Sequence, residues 1–206
     1  KKRSRVGELS NDIEKHPDFI KIEKFAFEKF GLAAMSHRHG VFGMQQPLPP
    51  IVKYGLTFLF VQSEFGLCCP LSMTDSLTRT LTKFGDKKLI EKFFDQLTSQ
   101  DLDHLFQGAM FMTEQHAGSD VGSIDTYAEY EDGNWFLTGD KWFCSNPDAD
   151  LAMVLARHNK TIGGTKGLAL FLLPKKLENG NQNNYEIIRL KDKLGGRSFA
   201  SGEIKL

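Results

Sequence analysis

Apolar positions in this chain change period once. Up to about Phe106 they recur at the three-to-four spacing of a helix face, and beyond it they alternate as in half-buried strands. Pro17-Asp18 opens a segment with Phe19, Ile22, Phe25 (or Ala26) and Phe30 on one side and Gly31 as its stop. Pro49-Pro50 predicts a second helix carrying Tyr54, Phe58 and Val61 towards a C-terminal glycine at Gly66. A third follows Pro70, with Leu77, Leu81 and Phe84 on one face and Gly85 as its stop. Asp86 is an N-cap for a fourth, whose stripe is Leu89, Ile90, Phe93, Phe94 and Leu97. A short fifth helix is expected after Ser99, with Leu102, Leu105 and Phe106 facing inward. Ser36 to Pro49, rich in Gly, Pro and Gln, predicts a connecting loop.

The second half predicts strands. Thr126 to Tyr130 and Trp135 to Thr138 flank Glu131-Asp132-Gly133-Asn134, and Asp-Gly between alternating runs is a strong hairpin signal. Leu151 to Ala156, Gly167 to Leu173, Tyr185 to Leu190 and Gly202 to Leu206 supply more short strands, with Gly163-Gly164 and Glu178-Asn179-Gly180-Asn181 as turns. The expected class is α+β: an N-terminal all-helical domain over residues 1–107, then a small antiparallel β-barrel or sandwich over 108–206. There is no internal repeat and no low-complexity tract.

Composition narrows the function. The 206 residues carry 26 basic and 26 acidic side chains, a formal charge of zero, which argues against a protein whose main task is coating nucleic acid. With 40% hydrophobic and 25% charged residues the chain is globular rather than disordered. Cys68, Cys69 and Cys144 form an odd, sparse set without a CxxC, which favours free thiols and a reducing compartment. Apolar stretches such as Leu56 to Val61, interrupted only by Thr57, are far short of the roughly 20 residues a membrane span needs. Lys1 to Arg5 leads into polar residues rather than a signal-peptide core and is expected to be a solvated tail. The absence of an initial methionine suggests a fragment.

The candidate chemistry lies in Phe111-Met112-Thr113-Glu114-Gln115-His116-Ala117-Gly118-Ser119-Asp120-Val121-Gly122-Ser123, where an apolar stretch enters a loop of small residues. Such a loop offers backbone N–H groups and the hydroxyls of Thr113 and Ser119 to a closely approaching ligand. A plain turn capped by Ser119 and Asp120 explains the same residues. His37-Arg38-His39 has no cysteine or carboxylate at ligand spacing and is expected to be a solvated loop. His116 needs no role. Asn159-Lys160-Thr161 fits a glycosylation pattern that means little without a signal peptide, and Cys144 is expected simply to alternate within a strand.

Met112-Thr113-Glu114-x-x-Ala117-Gly118-Ser119-Asp120-x-x-Ser123 resembles the first signature of the acyl-CoA dehydrogenases, with Phe111 where a small residue is usual. Leu137-Thr138-Gly139-Asp140-Lys141-Trp142-Phe143-Cys144-Ser145-Asn146, followed by Ala149-Asp150 and Val154 to Arg157, is similar to the family's "G-x-K-x-aromatic-x-Ser/Thr-Asn" strand. Leu190-Lys191-Asp192-Lys193-Leu194-Gly195-Gly196-Arg197-Ser198 resembles the end of the same β domain. In the helical half, Gln62 to Thr74 is similar to the "E-x-G-x-x-C-P-x-x-M-T" segment of the AidB-type, alkylation-response branch. On residues alone, the latter is also a helix start at Pro70 preceded by two buried cysteines.

The resemblance implies one wall of an FAD site. Met112 and Thr113 would meet the pyrimidine edge of the flavin, Gly118 and Ser119 its pyrophosphate, Phe143 its ring, and Ser145 the region of N5 and O4. The implied reaction removes the α proton of an acyl-CoA and transfers hydride from its β carbon to flavin N5. The family's base is a glutamate on a further C-terminal helical domain, so no catalytic residue is assigned to this chain, which is expected to be inactive alone; Glu114 is expected to be structural. A homotetramer or homodimer is implied for the complete protein; the expected compartment is the cytoplasm, with the mitochondrion as the alternative. Two other readings remain open. One is a flavoprotein used mainly for binding, either of acyl-CoA or, through a basic C-terminal region, of DNA; the other is a cofactor-free interaction scaffold.

Overall fold

Prolines and caps start three of the four α-helices where the pattern predicts, but long-range partners decide which face turns inward. The protein is described here by a computed structural model that covers residues 6–7 and 11–206, so the basic start at Lys1 to Arg5 lies outside the described residues. Two units are distinguished. One comprises Glu14–Gly108 with Lys193–Phe199; the other comprises the chain up to Ile13 with Ala109–Asp192 and Ala200–Leu206.

In the helical unit, α1 (Pro17–Lys24) carries Pro at its N-terminus and runs directly into a π-helical turn, Phe25–Lys29. The wider turn, seen in the Phe30 N–H to Phe25 C=O bond at 2.9 Å, rotates the face that follows it. Ala26 and Phe27 are therefore buried, while Phe25 and Phe30 of the expected stripe stay exposed. Gly31 ends the segment at φ +54, where an added Cβ would strike Gln100 and Val41.

Helix α2 (Pro50–Phe60) stops six residues short of Gly66, which sits instead in a tight turn whose N–H is capped by Glu64 at 2.7 Å. Its expected stripe is inverted: Tyr54 and Phe58 are exposed and Lys53 is buried. Lys53 Nζ is ion-paired with Asp75, whose other oxygen meets His37 Nε2 at 2.7 Å. The expectation of a wholly solvated His37-Arg38-His39 loop thus fails for His37, and Arg38 donates to the Thr98 carbonyl at 3.1 Å. A buried cation is tolerable only when paired, and Asp75 supplies the pair.

Helix α3 (Cys68–Phe84) begins two residues before Pro70 and buries Leu71, Thr74, Asp75, Leu77, Thr78 and Leu81, with Gly85 at its end. Cys68 and Cys69 are half-buried rather than buried. Helix α4 (Lys87–Leu97) is capped as predicted, Asp86 Oδ1 accepting from Lys88 N–H at 2.8 Å, and buries Phe93 and Leu97. The expected fifth helix is a single turn. Ser99 Oγ and Asp101 Oδ1 accept the Asp101 and Asp103 N–H groups at 3.0 Å each, and this local bonding competes with helix propagation. Phe27, fully buried among Leu67 and Leu71, contributes about 1.5–3 kcal/mol of apolar burial.

The other unit is one eight-stranded sheet: β1 (Gly108–Phe111), β2 (Tyr127–Glu131), β3 (Asn134–Thr138), β4 (Asp140–Ser145), β5 (Leu151–Arg157), β6 (Leu168–Pro174), β7 (Glu186–Leu190) and β8 (Ser201–Lys205). Its order is β3-β2-β5-β1-β4-β8-β7, with β6 paired to β5. Asp132 and Gly133 close the β2–β3 hairpin with φ +48 and +83, the two left-handed positions a tight hairpin turn requires. The α+β class holds, although the sheet is mixed rather than purely antiparallel, because β2 and β5 run parallel at Tyr127↔Arg157. Two intervening strands give the chain the long crossover that a parallel pair needs. Ala109, Phe111, Cys144, Val154, Tyr185 and Ile204 form the core of this unit.

Candidate functional site

Strand pairing assembles the site face. Met110 lies opposite Ser145 in the antiparallel β1–β4 pair, and the Trp142 N–H donates to the Thr113 carbonyl at 2.8 Å beyond the end of β1. The same register puts Met112 beside Phe143. Phe111 and Cys144 are buried, so alternation turns Met112, Phe143 and Ser145 to the opposite face. Phe143 is 48% exposed and Met112 37%, two large apolar side chains left on the surface side by side. Ser145 Oγ stands 3.4 Å from Ser201 Oγ. Asn146 follows at φ +54, a conformation its short polar side chain tolerates.

The loop after β1 separates scaffold residues from outward-facing ones. Glu114 and Ala117 bond to each other through N–H and C=O at 3.0 and 3.2 Å, closing a tight turn. The Glu114 carboxylate points inward: Oε1 accepts from Lys141 Nζ at 2.8 Å, Thr126 N–H at 3.0 Å and Thr126 Oγ1 at 2.5 Å, and Oε2 from Asp125 N–H at 2.7 Å. Burial alone would push this carboxyl up, but the bonds from Lys141, Thr126 and Asp125 outweigh it and hold it below the ordinary range. Burial pulls Lys141 down, partly offset by Glu114, and its ammonium also donates to the Met112 carbonyl at 3.1 Å. Glu114 is therefore structural, as expected.

Asp120 caps the next turn, its Oδ1 accepting from Gly122 N–H at 3.0 Å and its Oδ2 from the Ser123 hydroxyl at 2.5 Å. Arg157 clamps the far side, with Nη2 donating to the Gly122 carbonyl at 2.7 Å. Between these anchors Gly118 and Ser119 are exposed, and no protein atom lies within 4 Å of where a Cβ on Gly118 would stand. Thus Met112, Phe143 and Ser145 come to one face, Thr113 lies half-buried at its edge, and Gly118 and Ser119 form the free tip of the adjoining loop.

A neighbouring cluster escaped the sequence reading. β4 bulges against β8 between Lys141 and Cys144, so Trp142 and Phe143 together oppose Glu203; β7 bulges on the other side between Ile187 and Arg189. Bulges on both flanks re-aim side chains around Glu203. Its Oε1 accepts from Arg189 Nε at 2.8 Å and Lys191 Nζ at 2.6 Å. Lys191 Nζ stands 3.0 Å from the centre of the Trp142 ring and 4.8 Å from that of Phe143. Arg189 and Lys191 two positions apart were the available signal, since i and i+2 share a strand face. The pairing with Glu203 was invisible locally.

His116 Nε2 lies 3.0 Å from Asp125 Oδ2, and Asn159 Oδ1 accepts from Thr161 N–H and Oγ1 at 2.9 and 2.7 Å, a turn motif that accounts for the Asn-x-Thr spacing. Burial pushes the Cys144 thiol up to about 12. Among the described residues, no group of three or more His, Cys, Asp or Glu could hold a metal ion, and no helix is long and apolar enough to cross a membrane.

Residues 109–206 match the acyl-CoA dehydrogenase middle-domain family, and residues 1–104 match the N-terminal domain of the adaptive response protein AidB. Acyl-CoA dehydrogenase family member 11 of Caenorhabditis elegans is 40% identical over 177 residues, 80% of this chain and 29% of that protein. The putative acyl-CoA dehydrogenase AidB of Escherichia coli (strain K12) is 39% identical over 156 residues, 71% of this chain and 28% of that protein. The crystal structure of Caenorhabditis elegans ACDH-11 in complex with C11-CoA superposes with a TM-score of 0.83 at 31% identity, covering 100% of this chain and 36% of that one. The chain thus spans less than a third of the length of these curated relatives.

Proposed function

We propose, for a chain that belongs to the acyl-CoA dehydrogenase family and to its AidB-type branch, that its sheet unit forms one wall of an FAD site used to oxidise an acyl-CoA thioester. The observation that carries this reading is the shared outer face of Met112, Phe143 and Ser145 beside the open tip at Gly118 and Ser119. Residues and cofactor fit. An exposed Phe–Met pair suits the flat apolar face of a flavin, and a loop tip with free N–H groups and a hydroxyl suits a pyrophosphate.

Met112 and Thr113 would line the pyrimidine edge through backbone and hydroxyl groups, and Phe143 would pack against the ring. Ser145 would present a hydroxyl where negative charge develops on reduction. Gly118 and Ser119 would hold the pyrophosphate, the missing Cβ leaving room for close approach. Bound FAD supplies the acceptor for hydride from the β carbon of the acyl-CoA. Within this reading Glu114, the signature carboxylate, is not the base, because it is committed to Lys141 and to two backbone N–H groups. The 1–107 and 108–206 division assigns these contacts to the second domain. For the complete protein the reading extends to an acyl-CoA substrate and a homo-oligomer.

The test is a visible absorption spectrum of the complete polypeptide reconstituted with FAD, before and after anaerobic addition of acyl-CoA. A flavin spectrum that bleaches is the expected result. A spectrum that persists with every acyl-CoA tried would shift the role to binding, with DNA examined next. Absence of bound flavin would remove the assignment of Thr113, Ser119 and Ser145.

A further inference from the structure

We infer that Lys191 is a positioning residue that sets the redox behaviour of this site from beside its aromatic wall, an inference that rests on the flavin reading above. The side chain is only 10% exposed, and its ammonium lies against Trp142 and within 4.8 Å of the Phe143 ring centre. Glu203 holds it there at 2.6 Å, through the same Oε1 that accepts from Arg189. Two cations share one carboxylate, so the cluster keeps a net charge of +1. Burial of the ammonium spares this charge most of the screening that an exposed lysine suffers.

Two independent irregularities build the arrangement. The β4 bulge places Trp142 and Phe143 opposite the single residue Glu203, and the β7 bulge brings Arg189 into register with it. Either strand in regular register would offset one group from the others. A two-electron reduction adds negative charge to a flavin, and a fixed positive charge beside the ring's packing partner favours the reduced form. The Lys191 charge therefore raises the midpoint potential. Glu203 lowers it and also sets where Lys191 sits.

The experiment compares midpoint potentials of the FAD-loaded complete polypeptide in wild-type, Lys191→Met, Lys191→Arg and Glu203→Gln forms, by equilibration with a redox dye. Lys191→Met removes the charge and leaves Glu203 paired with Arg189. The reduction equilibrium is expected to fall about tenfold, about 30 mV for a two-electron couple. Lys191→Arg should stay near wild type, and Glu203→Gln should shift the potential upward, opposite in sign to Lys191→Met. A purely structural role predicts no such reversal. An unmoved potential in Lys191→Met, or identical values for Lys191→Met and Lys191→Arg, overturns the inference while the flavin reading stands. A wild-type protein that takes up no FAD overturns both.

Discussion

Among the described residues each unit has one almost fully buried lysine set against a buried carboxylate, and the two pairs are built differently. In the sheet unit, Glu114 meets Lys141 and also accepts the backbone N–H groups of Asp125 and Thr126, so the ion pair pins a loop. In the helical unit, Asp75 meets Lys53 and His37, both through side chains, and pins the helix α2 face against α3. Both lysines are almost fully buried, at 0% and 3% side-chain exposure. The contrast shows that a buried ion pair takes its role from the other groups its carboxylate serves. Glu114 shapes the candidate ligand loop, and Asp75 selects which face of a helix turns inward.

Glu114→Gln carries the largest expected effect. It leaves Lys141 buried without a charged partner, which costs about 3–5 kcal/mol. It should also weaken hydrogen-exchange protection of the Asp125 and Thr126 amides and reduce FAD uptake. Unchanged protection at those two amides would falsify the pinning role. Asp75→Asn is expected to cost about 3 kcal/mol in urea unfolding for the same reason, with protection at Asp125 and Thr126 unaltered. Equal loop loosening in both variants would erase the distinction between the pairs.

Acid sharpens the comparison further. Asp75 resembles Glu114 here: burial pushes its carboxyl up, and the bonds from His37 and Lys53 outweigh that and hold it below its ordinary value. A carboxyl lowered by folding contributes stability that is full above its unfolded value and is lost as pH falls through the folded one. Stability should therefore decline below the ordinary values of 4.5 for Glu114 and 3.8 for Asp75. Unfolding temperature measured from pH 6 to pH 2 should fall less steeply in Glu114→Gln and Asp75→Asn than in wild type. The smallest effect concerns thiols. Cys144, pushed up to about 12 by burial, should resist iodoacetamide at pH 8 in the folded protein. The half-buried Cys68 and Cys69 should be modified first, as peptide mass mapping would reveal.

What was legible in the sequence was what neighbours a few residues apart decide. Pro17, Asp86, Gly85 and the Asp132-Gly133 turn each act through local backbone geometry, and all four stand where the pattern placed them. The continuous apolar runs of β5 and β6 likewise lie in their own residues, although β5 is buried at nearly every position rather than at alternate ones. The three signatures of the sheet half identified the family through order and spacing, which need no coordinates.

Tertiary structure decided the rest. The apolar stripe of α2 faces outward because Asp75, 22 residues away, takes Lys53 into the interior, a choice no helical periodicity encodes. The π-helical turn after α1 rotated the buried set onto Phe27. The Lys191 cluster depends on two bulges whose partners lie far along the chain, so its members look like ordinary surface charges one by one. Glu114 is expected from sequence to be structural and Asp120 to cap a turn, and both serve the loop, but only the fold brings Lys141 and Thr126 to Glu114. Local preference sets where elements begin and turn, whereas the inward face and the role of a charge depend on which distant group desolvates with it.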